Sequence, residues 1–143
     1  MSDEASITVT GLEEVCAALT LMPTRLVKHA YARAVAAASA VVVRELVARA
    51  PEHTGKMKQH VVSVIAVAAD GTGASSYIGF GKHGFKALLV EFGHRMLGHA
   101  PSKKELRDPV SARPFMRPTV AACAEEAVTA FADSLAESIR SGL

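Results

Sequence analysis

The chain has 143 residues, half of them hydrophobic, and a formal net charge of +2 at pH 7. That length fits one domain over residues 1–143, with enough apolar side chains to build a core without metal or disulfide staples. Charged residues make up 21% with nearly balanced sign, so nothing in the composition calls for nucleic acid or an anionic membrane as a partner.

In chain order, the acidic start "MSDEASITVTG" lacks the basic beginning and apolar middle of a secretory signal. We therefore expect a protein that folds in a reducing cytoplasm. "SITVTG" alternates apolar and hydroxyl residues and predicts a short strand; "LEEVCAALTLM" predicts a short helix ended by Pro23, with Glu13 and Glu14 in its favourable first turn. Cys16 and Cys123 stand far apart on apolar helical faces, which predicts buried free thiols rather than a bridge or a zinc site.

From Thr24 to Ala50 the residues Val27, Tyr31, Ala34, Ala38, Val41, Val42 and Leu46 keep helical spacing, and Pro51 stops the run. The apolar stretch at 34–43 is about half a membrane span and reads as a buried segment. Its stripe is mostly Ala and Val, small enough for a second helix to approach closely.

"HVVSVIAVAA", "DGTG" and "ASSYIGFG" then predict a β-hairpin whose first strand is apolar on both faces, one for the helices and one for something else. "HGFKALLVEFG" returns to helical spacing, with Gly93 placed as a left-handed cap. The polar stretch from His94 to Ser111 shows no period. Last, Val120, Cys123, Ala124, Ala127, Val128, Phe131, Leu135 and Ile139 predict a long helix, with Pro118 in its first turn.

Reaction chemistry finds little support in these residues. His83, Glu91, His94 and His99 share one region, but none has the paired spacing of a helical zinc site. "GFGKHG" lacks the spacing of a phosphate loop, and no nucleophile has a base fixed near it by sequence. We expect no catalytic residue, no metal and no cofactor.

What stands out is "ARPFMRP", residues 112–118. Its prolines lock two torsions and remove two amide donors, so the segment predicts an extended strap before the last helix. Phe115 and Met116 would be apolar anchors, and Arg113 and Arg117 would reach for carboxylates. The anchors pin the strap either to the domain's own core or to a neighbouring subunit; both readings stand at this point.

Three signatures in order carry a resemblance: Ala50-Pro51 with Thr54-Gly55 and Met57, then Glu91-Phe92-Gly93, then Arg113-Pro114-Phe115-Met116-Arg117-Pro118. Together, over roughly residues 12–140, they resemble the bacteriophage tail-completion and head-to-tail joining family, also described as minor tail components or phage morphogenesis proteins. Where that family has a small hydroxyl residue after Glu-Phe-Gly, this chain has His94, and its following loop is longer.

The resemblance implies a non-enzymatic virion protein that forms a ring, six-fold, at the neck end of a long tail after assembly in the host cytoplasm. Its partners would be its own copies, the tail tube protein and the connector or stopper proteins, with DNA passing through the lumen without specific binding and no membrane involved. The expected fold is α+β: a small antiparallel sheet packed against two long helices, with a short N-terminal helix and a long loop. The strap and Glu91, Phe92 and Gly93 are the expected subunit-interface elements. A rival reading is a small nucleic-acid-binding module using Arg25, Lys28, Arg33, Arg44 and Arg49; a second is a metal-dependent hydrolase around the histidines.

Overall fold

A computed structural model describes residues 11–20, 24–52, 55–95 and 109–141. Their elements are α1 (Leu12–Thr20), α2 (Thr24–Arg49), β1 (Val62–Val67), β2 (Ala74–Gly79), α3 (Gly84–Phe92) and α4 (Met116–Arg140), with single 3₁₀ turns at Lys58–His60 and Gly81–His83. The fold is α+β. The strand expected at residues 6–11 begins outside the described residues, as do most of the 94–111 loop and His99.

Helix α2 is the axis. Of its anticipated stripe, Val27, Ala34, Val41 and Leu46 are buried, while Tyr31, Ala38 and Val42 are half-buried. The 34–43 run is buried on one face only, through Ala34, Ser39 and Val41, whereas Ala36 and Ala40 face solvent. Helix α4 packs along α2, and the near-complete burial of Ala30 and Ala34 follows from their lack of bulk. The buried Ser39 hydroxyl donates to the Val35 carbonyl at 2.7 Å, so α2 absorbs a polar group in its contact face without leaving it unsatisfied.

Two apolar clusters define the layout. Val27, Ala30 and Ala34 meet Leu135, with Tyr31, Phe131 and Ile139 around them. At the other end of α2, Leu46 and Ala50 meet Phe80, Ala87 and Phe115. The start of α2 therefore lies against the end of α4, and its end against the start of α4. In α4, Cys123 and Leu135 are buried as expected, but Val120 points outward and Thr119 takes the inward position beside it. Cys123 is the buried thiol, whereas Cys16, expected to be buried too, is exposed.

The hairpin pairs Val62 with Gly79 through Val67 with Ala74. Asp70 Oδ1 accepts the Thr72 backbone N–H at 3.0 Å and its hydroxyl at 2.8 Å, which fixes the turn and holds the Asp70 carboxyl below its usual range. Gly71, with φ +79°, lies against Thr24 and Lys28, and the Lys28 ammonium donates to the Ala69 carbonyl. The turn is thereby docked on the first turns of α2.

By register, Val62, Val64 and Tyr77 share one face and Ile65, Val67 and Ile78 the other. The second face turns toward α2 and is the less exposed, yet every residue of β1 keeps substantial exposure. The expectation that one face would be covered by helix thus holds only in part.

Candidate functional site

Helix α4 begins with a problem. Its N-cap is Phe115, which has no side-chain oxygen to satisfy the first backbone donors. The solution is Glu91, 2% exposed at the end of α3. Glu91 Oε2 accepts the N–H groups of Phe115 at 2.7 Å and Met116 at 2.9 Å, and Oε1 accepts that of Arg117 at 3.3 Å. Pro118, next in the first turn, has no N–H to satisfy. The four donors that a helix start normally leaves open are thus accounted for by one carboxylate and one proline.

The same carboxylate accepts Arg117 Nε at 3.2 Å, and the Arg117 guanidinium lies over the Phe92 ring, 5.2 Å from its centroid. Burial is the largest single influence on the Glu91 carboxyl and pushes it up. The N–H groups of Met116, Phe115 and Arg117, joined by the guanidinium, together outweigh it and hold the carboxyl below its ordinary value.

Gly93 completes the arrangement by letting backbones touch. A Cβ there would lie 2.5 Å from the Val110 carbonyl oxygen and 2.8 Å from the Ala112 nitrogen. Its φ of +71° and ψ of 171° are an extended mirror conformation open essentially to glycine, not the left-handed cap expected from the sequence. His94 and Val110 exchange two backbone hydrogen bonds, 3.1 and 2.8 Å, and the Arg113 N–H donates to the Val90 carbonyl at 2.8 Å. The strap is therefore stitched along the end of α3.

Phe115 is the anchor. It packs edge-on against Phe80 with centroids 5.6 Å apart, in the cluster that also holds Ala50, with Met57 and Met116 at its margin. Of the two fates open to the anchor, the structure gives Phe115 the inward one. All three sequence signatures converge on this place: Ala50 and Met57 wall the pocket, Glu91 and Gly93 receive the strap, and Phe115 fills the pocket. Thr54 lies outside the described residues. Arg113, Pro114, Arg117 and Pro118 stay at the surface.

Next to the latch, α3 turns Phe85, Leu88 and Phe92 to solvent, with Phe85 71% and Phe92 63% exposed. Their spacing of three and four makes one stripe. The alternative sites lose ground in the same geometry. Both Glu91 oxygens are engaged, which removes the carboxylate from a histidine metal site. Of the five basic residues on α2, Lys28 holds the hairpin turn, Arg44 forks onto Glu126 of α4 at 2.7 and 2.8 Å, and Arg49 bonds Glu45 at 2.7 Å.

The sequence reading missed that Glu91 is the cap of α4, and it missed Phe80 as the partner of Phe115. A signal was available: a helix opening with Phe at its N-cap, with no Ser, Thr, Asp or Asn there, must borrow an acceptor from elsewhere.

A family model described as "Bacteriophage HK97-gp10, putative tail-component" matches residues 13–93, more than half of the chain. The chain belongs to the HK97-gp10-like family of bacteriophage tail components. No curated protein and no solved structure gives a match. The matched span takes in α1 through α3 and ends on Gly93, the residue against which the strap closes, so the strap and α4 lie beyond it. Family membership makes this a structural component of the phage tail and places it in the virion.

Proposed function

We propose that the protein forms a closed ring at the head-proximal end of a long tail, completing the tail tube or joining it to the connector, without catalysing a reaction. The observation that carries this reading is the apolar surface left by a domain whose own joints are already closed. Phe85, Leu88 and Phe92 on α3, and Val62, Val64 and Tyr77 on the hairpin, are exposed, although the anchor Phe115 is buried in its own domain. Apolar patches of this kind mark protein–protein contacts, and a ring requires that one patch of each subunit meet a different patch of the next.

The partners in this reading are further copies of the chain in six-fold arrangement, the tail tube protein, and the connector or stopper proteins. Assembly takes place in the host cytoplasm and the ring sits at the neck. DNA passes through the lumen without specific binding, in keeping with the near-neutral charge. Imaging of tails from phage carrying and lacking the gene product tests the proposal. We expect a ring of density at the head-proximal end that disappears with the protein; loss of density elsewhere, or intact necks without it, would overturn the assignment. Duplex binding at micromolar or tighter affinity with a steep salt slope would instead revive the nucleic-acid reading.

A further inference from the structure

The segments 55–60 and 81–86 carry Lys56, Lys58, His60, Lys82, His83 and Lys86. Their two 3₁₀ turns touch, and the His60 and His83 rings meet edge to face with centroids 4.5 Å apart. Beside them is a cavity of about 290 Å³. Lys56, Lys86 and His83 give its polar lining, and Pro51, Met57 and Val90 its apolar wall. Among the described residues no carboxylate lines it, and Glu52, next in sequence to Pro51, is engaged by Lys58 at 3.2 Å.

His83 Nε2 is buried and has no hydrogen-bond partner among the described residues. A buried ring nitrogen without a partner carries a desolvation penalty, and a negative charge in the cavity beside the ring offsets it. Two ammonium groups beside it require that the group be negative, and the apolar wall suits a stem of methylenes. The volume is at the small end of the roughly 300–1,000 Å³ usual for ligand pockets, which suits an inserted side chain better than a cofactor.

We propose that this cavity is an oxyanion site that receives a carboxylate side chain from a second copy of the chain, an inference that rests on the ring reading above. The complementary charge is on α4. Asp133 and Glu137 are exposed and four residues apart, and so share one outer face, while Glu126 is already held by Arg44. The end of α4 packs on the start of α2, where Leu135 meets Ala34. The cavity begins at Pro51, about 25 Å further along at 1.5 Å per residue. The Asp133 and Glu137 pair beside Leu135 is thus too distant to serve its own cavity and is placed to serve a neighbour's, head to tail.

The site is also sensitive to protons. Burial first, and then the charges of His60, Lys86, Lys82 and Lys56, hold the empty site's His83 below the ordinary histidine range. An inserted carboxylate opposes that effect, so binding takes up a proton and tightens as the pH falls from about 7.5 to 6.

The test has two arms. First, the histidine ring resonances of the full-length protein are followed by NMR during separate titrations with glutarate and with inorganic phosphate. Glutarate should shift His83, more strongly at pH 6 than at 7.5, and Lys86→Glu should weaken the response at least tenfold with Tm unchanged. A His83 signal indifferent to glutarate, or responsive to phosphate alone, overturns the carboxylate site. Second, assembled tails are treated with a carbodiimide, which joins an amine to a carboxylate in direct contact. Links from Lys56 or Lys86 to Asp133 or Glu137 of another copy are expected; their absence, or links to a different protein, overturns the second-copy occupant. The number of copies at each tail end, read by imaging, reports separately on the ring itself.

Discussion

Glu91 Oε2 accepts the Phe115 backbone N–H at 2.7 Å across 24 positions of sequence, so one carboxylate near the end of α3 fixes the start of α4. Removing it leaves several donors at a largely buried helix start without acceptors. We expect Glu91→Ala to cost about 3–5 kcal/mol and to lower Tm on the order of 10 °C. Glu91→Gln, which keeps one acceptor oxygen, should cost roughly half as much. Thermal or urea unfolding of the purified variants measures both.

The same contact predicts a pH dependence. Because the folded-state carboxyl of Glu91 lies below its ordinary value, its contribution is whole above the unfolded value of about 4.3 and is lost as the pH falls through the lowered folded value. Wild-type Tm should therefore decline below about pH 4.5, and the Glu91→Gln variant should lose less over that window. Parallel declines in the two proteins would remove Glu91 as the source.

Much of the fold was legible because periodicity reports burial directly. The stripe from Val27 to Leu46 predicted α2 to within a residue of its end, and the "DGTG" turn between β-branched runs predicted the hairpin. Other features depend on pairs far apart in sequence. That Glu91 caps α4 is invisible to local pattern, since Glu near the end of an amphipathic helix ordinarily faces solvent. Val120 has the spacing of the apolar stripe yet faces outward, because Thr119 is as well suited to a tight interhelical contact once its hydroxyl donates to Phe115 O, 2.6 Å away.

Phe115→Ala should destabilise the fold by about 3–5 kcal/mol, because the side chain fills the pocket between Phe80, Leu46 and Ala87. Phe115→Leu should recover part of that. Unchanged melting together with unchanged assembly for the alanine variant would contradict the anchoring role.

Gly93→Ala introduces a methyl 2.5 Å from the Val110 carbonyl oxygen in a backbone conformation that costs about 1–3 kcal/mol for other residues. We expect the strap to lift at its hinge, which hydrogen exchange would register as faster exchange of the Arg113 and Val110 amides, with α2 protected as before.

Surface variants should behave in the opposite sense. Phe85→Ser and Leu88→Ser, on the exposed stripe of α3, should leave Tm within about 0.5 kcal/mol of wild type in equivalent stability while reducing incorporation into tails, scored by mass spectrometry of purified particles. Arg113→Ala belongs with them, since its side chain is exposed and its link to Val90 runs through the backbone.

The paired hydrogen bonds between His94 and Val110 return the chain to the point where it left α3. The end of α3 and the start of the strap are thereby clamped to each other by backbone alone. Side-chain substitutions at these two positions therefore leave the clamp's hydrogen bonds in place, and an exchange of His94 for another residue is tolerated by the latch so long as the backbone keeps its extended course.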